Sequence, residues 1–429
     1  MKRDIAVLVA ACSACMAFAD PNDPQAAVVS ASQGFDPGRT VKIEYTLDEP
    51  AIVTFDVKTN GVSIGGANLT HAYGDVHKVV GAGTRTLFWP AHEAWPDHTS
   101  KRDGKFSVSV TAWATNSPPD YMVIKLVGDD KGARTFYTAP EQLPGVGGVT
   151  NEMYKTDYLV MRRIPAAGKT FRMGAPSGEP GRYGSETLHY VTLTNDFYMA
   201  VFELTAGQFR NITRNFDVFA SDISTYNNSK VCVSGEAPAL PMDCYPYNTF
   251  RGTGKLWPDN EHDIDSSAPL ALFRTALGLA TLDLPTDAEW EFACRAGTLT
   301  GRYDGTEYVA DGDGVSALAW VSSSWSERPH PVGLLKPNAY GLYDMYGNVY
   351  EWCLDRFTWF TATAGSTVIA PVGPASSDTG TERVVRGLYV NCGGANANAR
   401  SGFRWNRSYD YVATDVWGIM CGYRLVCTF

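Results

Sequence analysis

A chain of 429 residues that is 44% hydrophobic and 19% charged has room for two or three domains and enough apolar side chains for a large core, which excludes a disordered chain. Its net charge of -10, with no basic block, excludes nucleic acid and anionic lipid as partners. Beyond the N-terminus no stretch approaches the roughly 20 apolar residues of a spanning helix, so no transmembrane span is expected.

The chain opens on Met1-Lys-Arg-Asp, an apolar run from Ile5, and Ala17-Phe-Ala19 before Asp20. A basic start, a short apolar stretch and an A-x-A site predict a signal peptide over residues 1–19 and an extracytoplasmic protein, whether periplasmic, secreted or surface-anchored. Val9-Ala-Ala-Cys12 also fits a lipoprotein processing box, which would export the chain with a lipidated Cys12. Cleavage at Ala19 leaves Cys232, Cys244, Cys294, Cys353, Cys392, Cys421 and Cys427. The odd count leaves at least one thiol unpaired or intermolecular in an oxidising compartment.

Residues 25–118 read as strand after strand. Val41, Ile43, Tyr45 and Leu47 alternate with polar neighbours, as do Val53, Phe55 and Val57, then Phe106, Val108, Val110 and Ala112. Asn60-Gly61 supplies a hairpin turn. Thr86 to Trp89 followed by Asp103 to Phe106 resembles the closing strands of a small immunoglobulin-like β-sandwich, a module that usually spaces or braces. Ser117-Pro-Pro-Asp120 reads as the start of a linker, so residues 119–157 are expected to be a linker with one connecting strand, Tyr121 to Leu126.

From Tyr158 to the end, helical signals are few and short between Gly- and aromatic-rich stretches, which predicts an α+β, coil-rich domain over 158–429. The clearest helix runs from Asp287 to Ala296: Thr286 and Glu289 form a capping box, acids fill the first turn, Gly297 can end it, and Trp290 and Ala293 share a face. Further helices are expected over Thr205 to Ile212 and Leu270 to Gly278.

In order along this domain stand Phe171-Arg-Met-Gly174, Glu186-Thr-Leu-His189, Phe197-Tyr-Met199, Glu203-Leu-Thr205, and Leu284-Pro-Thr-Asp-Ala-Glu-Trp-Glu291 with Ala293-Cys-Arg-Ala-Gly297. Then come His330-Pro-Val-Gly333, Gly341-Leu-Tyr-Asp-Met-Tyr-Gly-Asn-Val-Tyr-Glu-Trp352, Arg383-Val-Val-Arg-Gly387, Arg400, Arg404 and Gly422-Tyr-Arg424. This series resembles the formylglycine-generating (sulfatase-modifying-factor) family. The resemblance implies the family's fold, a variant of the C-type-lectin-like domain with little regular secondary structure, and a sulfatase as a partner.

The resemblance also assigns Asp344, Gly347, Val349 and Glu351 to a structural calcium ion, which wants six to eight oxygens and a tight backbone turn. The alternative is that Asp344 and Glu351 cap turns or pair with arginine. The family's reaction oxidises a sulfatase cysteine to formylglycine with oxygen and copper(I) held by two thiolates, the soft ligands that select this metal. Aligned without a gap on Tyr389 and Arg400, this chain puts Asn391 and Asn396 at the thiolate positions and Leu388 at a serine. Cys392, the candidate catalytic residue, misses by one position, and a slip that corrects it brings Ala397 to the second seat. Cys421 or Cys427 could stand in, or could bridge to Cys392. Cys294 and Cys353 lie in matched segments on either side of the core and are expected to form a disulfide, with Cys232 and Cys244 as a second pair.

The seven histidines show no i, i+4 pair of a zinc helix. What stands out near the C-terminus is a stretch dense in Asn, aromatic and Arg residues: Tyr389, Asn391, Asn396, Asn398, Phe403, Arg404, Trp405, Tyr409, Tyr411 and Trp417. Rigid aromatics with adaptable polar groups suit a binding surface; they suit a helix-poor core equally. Two functions therefore stand open: a binding module that takes a peptide, protein or glycan ligand in this cleft, and the family's copper-dependent oxidase.

Overall fold

The computed structural model describes residues 23–34, 39–96, 106–213, 237–243, 245–252, 257–258, 262–307, 315–322, 328–359, 362–373, 380–392, 396–411 and 420–428. The segment expected to be a signal peptide, residues 1–19, and Cys232, Cys244 and Trp417 lie outside the described residues. The chain forms two compact units: residues 1–123 with 134–151, and residues 124–133 with 152–429.

The first unit is built from two antiparallel sheets. One holds β1 (Ala26–Gln33), β2 (Thr40–Leu47), β7 (Gly83–Pro90) and the short β5 (Tyr73–Gly74), in the order β1-β2-β7-β5. The other sets β3 (Ala51–Thr59) between β4 (Val62–Ser63) and β6 (Val79–Val80), with β8 (Phe106–Trp113) also paired to β3. The alternation read from sequence is realised: Ile43, Tyr45 and Leu47 of β2, Val53, Phe55 and Val57 of β3, and Leu87 and Trp89 of β7 are buried in one apolar cluster. Asn60 and Gly61 both take positive φ, 52° and 78°, and pair Thr59 with Val62 across a two-residue hairpin.

The segment expected as a linker with one connecting strand carries two strands. β9 (Tyr121–Lys125) is followed by β10 (Arg134–Tyr137), and residues 134–151 belong to the first unit. Phe136 donates its N–H to the His77 carbonyl, accepts from His77 Nδ1 through its own carbonyl at 2.9 Å, and is followed by Tyr137, whose ring stacks on the imidazole at 4.5 Å. Aromatic residues in 134–151 make that segment a cover rather than a spacer.

The second unit mixes short strands, short helices and much coil. β11 (Tyr158–Ile164), β14 (Phe197–Ala200) and β22 (Val426–Cys427) lie side by side, as do β12 (Thr170–Met173), β13 (His189–Thr192) and β18 (Thr367–Ile369). A two-stranded ladder joins β15 (Ala319–Trp320) to β16 (Tyr346–Gly347). A four-stranded sheet runs β20 (Trp405–Ser408), β19 (Glu382–Arg386), β17 (Tyr350–Arg356), β21 (Cys421–Gly422). After α1 (Ala91–Ala94) of the first unit, this unit supplies α2 (Ala206–Thr213), α3 (Tyr247–Arg251), α4 (Pro269–Leu277) and α5 (Asp287–Arg295).

Helix α5 starts as its sequence predicts. Thr286 Oγ1 accepts the Glu289 N–H at 3.2 Å and Glu289 Oε2 accepts the Thr286 N–H at 2.8 Å, closing the capping box. Trp290 and Ala293 are fully buried.

The core of this unit is unusual in holding charge. Arg251, Arg302, Arg383, Arg386, Arg400 and Arg424 are among its largest fully buried side chains. Arg251 pairs with Asp283, Arg386 with Asp287 and Glu291, Arg400 with Glu186 and Glu179, and Arg424 with Glu351. A buried guanidinium persists only where carboxylates and carbonyls take its donors.

The expected Cys294–Cys353 bridge is not formed: Cys294 and Cys353 are free and buried, and Cys392, Cys421 and Cys427 are buried as well. Cys294 sits near the C-terminal end of α5, its thiol 3.6 Å from Ser401 Oγ. Cys353 lies on β17 two residues before Asp355, which caps the N–H of Asp287 at the other end of α5. From Asp287 to Cys294 the helix rises roughly 10 Å, whereas bridged cysteines need Cα atoms within about 7 Å.

Candidate functional site

The turn at 341–352 is held by charge on both sides. Each Glu351 oxygen receives two donors: Oε1 takes Arg424 Nη2 (2.6 Å) and Nε (3.0 Å), and Oε2 takes Arg424 Nε (2.9 Å) and Trp290 Nε1 (2.6 Å). Glu351 is therefore the arginine-paired carboxylate, with its lone pairs filled. Gly347 has φ 77°, and a Cβ there would stand 2.2 Å from the Trp320 carbonyl oxygen, so only glycine permits the β15–β16 approach.

Asp344 differs. Its Oδ2 accepts the Gly333 N–H at 2.7 Å, while Oδ1 is buried without a hydrogen-bond partner. Burial, reinforced by Glu351, pushes its pKa up to about 6 against the pull of the Gly333 N–H and Arg424. Neighbouring Glu203, buried and bonded to Asn348 Nδ2 (2.6 Å) and the Val349 N–H (3.2 Å), is pushed well up by burial and by Asp344 and Glu351. Of the four expected calcium positions, Glu351 offers no open lone pair, and Asp344 offers one unmatched oxygen. Among the described residues no group of three or more His, Cys, Asp or Glu side chains is disposed to hold a metal.

The cysteines near the C-terminus are buried. Cys392 Sγ lies 3.7 Å from the Ser322 carbonyl, and Cys421 pairs alongside Tyr350 in the parallel β17–β21 ladder. Burial pushes the Cys421 thiol up to about 12, with Arg407 opposing. Both thiols bear on the same two phenols: Tyr350 and Tyr389 are raised first by burial, and each also responds to Cys392 and Cys421. Soft donors are thus present, but burial favours thiol over thiolate at Cys421, and copper(I) needs the thiolate.

The other expected ligand residues divide by burial. Tyr389, Asn391 and Phe403 are buried. Arg404 is buried too: its Nε donates to Asp287 Oδ2 (3.0 Å), its Nη1 to the Thr358 carbonyl (2.7 Å), and its guanidinium lies 4.7 Å from the Phe357 ring centroid. Its work is inside the core. Asn396 opens a short 3-10 turn through Asn398, and Asn398 Nδ2 donates to Tyr183 Oη at 3.5 Å. Tyr409 is half-buried, its carbonyl accepting the Asn248 N–H.

What reaches solvent is an aromatic surface. Trp405, half-buried on β20, meets Tyr183 edge-on (5.4 Å) and Trp359 edge-on (6.2 Å). Trp359 is 52% exposed and Tyr183 37%. Behind them Phe403 joins Tyr183 (5.9 Å) and Tyr350 (6.4 Å), and Tyr350 joins Tyr389 (5.1 Å). Arg407 lies over Tyr350 and Tyr411. Sequence reasoning found Trp405 and missed Tyr183 and Trp359, which arrive from distant segments. The aromatic run Phe357-Thr-Trp-Phe360 was the available signal for Trp359.

The pattern of the sulfatase-modifying factor enzyme 1-like domain matches residues 160–428. A formylglycine-generating enzyme of Thermomonospora curvata is 38% identical over 119 residues, covering 25% of this chain and 38% of the enzyme. One of Streptomyces coelicolor is 37% identical over 124 residues, covering 25% and 36%. The chain thus spans under two fifths of the length of either enzyme. Among solved structures, Treponema denticola variable protein 1 matches with 21% identity and a TM-score of 0.47, over 67% of this chain and 98% of that one.

Proposed function

The chain belongs to the sulfatase-modifying factor family, and from that premise we propose that it is an exported binding module that takes a peptide or glycan on the aromatic surface of its second unit. The observation that carries this reading is the Tyr183–Trp405–Trp359 cluster, in which two of three large rings that touch one another stand open to solvent. Exposed, mutually buttressed rings offer contact area at little entropic cost. The reading takes the second unit as a C-type-lectin-like variant and the first as an immunoglobulin-like sandwich that presents it, with residues 1–19 directing export. The test is an array of peptides and glycans probed with the full chain and with Trp359→Ala/Trp405→Ala. Binding that survives the double substitution sinks the proposal.

A calcium ion enters this reading only at the Asp344 end of the turn, where three buried carboxylates, Glu203, Asp344 and Glu351, lie near the one guanidinium of Arg424. Asp344 Oδ1, with the carbonyls of Gly347 and Val349, would hold it, and the ion would brace the turn. A melting temperature unchanged between calcium and a chelator removes it.

One observation favours a second reading, the family's oxidase: Cys392 and Cys421 both bear on Tyr350 and Tyr389, which brings two thiols to one neighbourhood. Incubation with copper(I), oxygen and a Cys-x-Pro-x-Arg peptide, followed by mass spectrometry for the aldehyde, decides it. Aldehyde that disappears in Cys392→Ser establishes the oxidase; none formed removes it.

A further inference from the structure

A cavity of about 530 Å³ opens at the N-terminal end of α5, and Asp355, a buried carboxyl that makes no ion pair among the described residues, is one of its lining residues. Around α5 the other buried acids are matched: Asp287 by Arg386 and Arg404, Glu291 by Arg386 and Arg295. Asp355, near the end of β17, has no ion pair among the described residues. Its Oδ2 accepts the Asp287 N–H at 2.6 Å. Its Oδ1 faces the space above Gly373, where an added Cβ would stand 3.0 Å away, and Gly373 lines the cavity.

We propose that this cavity binds an alkylammonium group, the side chain of a lysine in a peptide, with Asp355 as its counter-charge. The proposal deepens the peptide form of the reading above and rests on it only for the source of the amine. Four features support it. The second oxygen of this buried carboxyl suits a cationic donor, and Arg404 and Arg383, which act on Asp355, form no ion pair with it among the described residues. His189, another lining residue, makes a 2.7 Å contact between Nδ1 and the Thr187 carbonyl; that nitrogen must donate, which leaves Nε2 as a second acceptor. Met173, Val368 and Val372 form apolar walls suited to a methylene stem. Finally, Arg404 of the lining lies over Phe357, which meets Trp359 at 5.3 Å, so the cavity joins the aromatic surface through packed rings.

The charges that face Asp355 set the pH dependence. Burial, then Asp287 and Glu289 of α5, raise its pKa, the Asp287 N–H and Arg404 oppose, and the result is about 7. Arg356, the next residue of β17, and His189 of β13 also line the cavity. An ammonium pairs with the ionised carboxyl, so affinity rises as pH increases through 7.

The experiment titrates the full chain at pH 8 and pH 5.5 with n-butylamine, with an acetylated Gly-Lys-Gly amide and with its norleucine counterpart, while carbon NMR follows the Asp355 carboxyl. The lysine peptide is expected to bind at least tenfold more tightly than the norleucine peptide at pH 8 and to lose that margin at pH 5.5. Butylamine is expected to lower the Asp355 titration midpoint. Asp355→Asn, which keeps an acceptor for the Asp287 N–H, is expected to abolish both effects. Equal affinity of the two peptides, or an Asp355 titration that ignores butylamine, overturns the proposal. Butylamine binding without lysine-peptide binding overturns the peptide assignment. Trp405→Ala separates the two readings, because it weakens the peptide and leaves butylamine binding intact only if cavity and aromatic surface are distinct subsites.

Discussion

The two units bury their interiors by opposite means. The first packs Ile43, Tyr45, Val53, Phe55, Leu87 and Trp89 into one apolar cluster, and it encloses the imidazole of His77 without an ion pair among the described residues. The second encloses the guanidinium groups of Arg251, Arg386, Arg400 and Arg424, paired to Asp283, to Asp287 and Glu291, to Glu186, and to Glu351. An apolar core is stabilised by area removed from water and accepts any side chain of similar volume. A core of ion pairs is costly to assemble and intolerant of losing one member, since the survivor is left charged and unmatched. The contrast explains why the second unit carries recognisable residue strings while the first shows only an alternating pattern.

The largest test of this contrast is Glu351→Ala, which strands Arg424 and releases Trp290. Denaturant unfolding of the second unit should lose about 3–5 kcal/mol, and a loss under 1 would break the comparison. Next is pH. Burial holds the His77 pKa down to about 4 from an ordinary 6.5. The unfolded chain therefore binds the proton more readily, and the first unit should lose about 3 kcal/mol as pH falls from 6.5 to 4. The raised carboxyls of Asp344 (about 6) and Asp355 (about 7) have the opposite sign, because the folded state binds their protons first. Between pH 7 and 5 they add stability to the second unit. Hydrogen exchange read by mass spectrometry reports both units in one chain; parallel trends would contradict the assignment.

A smaller effect is expected at the aromatic surface. Trp405→Ala should weaken ligand binding by about 2 kcal/mol, the scale of an aromatic anchor, while leaving the unfolding of the first unit unchanged. Smallest is Ile43→Val, expected to cost about 1 kcal/mol in the first unit and nothing in the second. A cost above 3 would mean that the apolar core is less forgiving than its composition implies.

Much of this was legible in the sequence where a local rule applies. Alternation at Val41 to Leu47 announced β2, Asn60-Gly61 announced the hairpin, and Thr286 with Glu289 announced the start of α5. Arg383, Arg386, Arg400, Arg404 and Arg424 stood in the matched strings, and the structure shows them as the buried cations. Relations set by distance in space were not legible. Tyr183 and Trp359 come to Trp405 from far along the chain, and Cys294 and Cys353 proved to lie toward opposite ends of one helix. Asp355 carried no motif at all; its isolation is visible only once its neighbours' partners are known.

The discontinuity of the first unit has a practical side. A polypeptide cut at residue 118, the boundary that the Ser-Pro-Pro-Asp stretch invites, would lack Phe136 and Tyr137 and so uncover the imidazole of His77. That fragment would trade a neutral, sealed ring for a wet one that ionises in weak acid. Dissecting this protein for antigens, display or crystallisation therefore calls for keeping residues through 151 with the first unit.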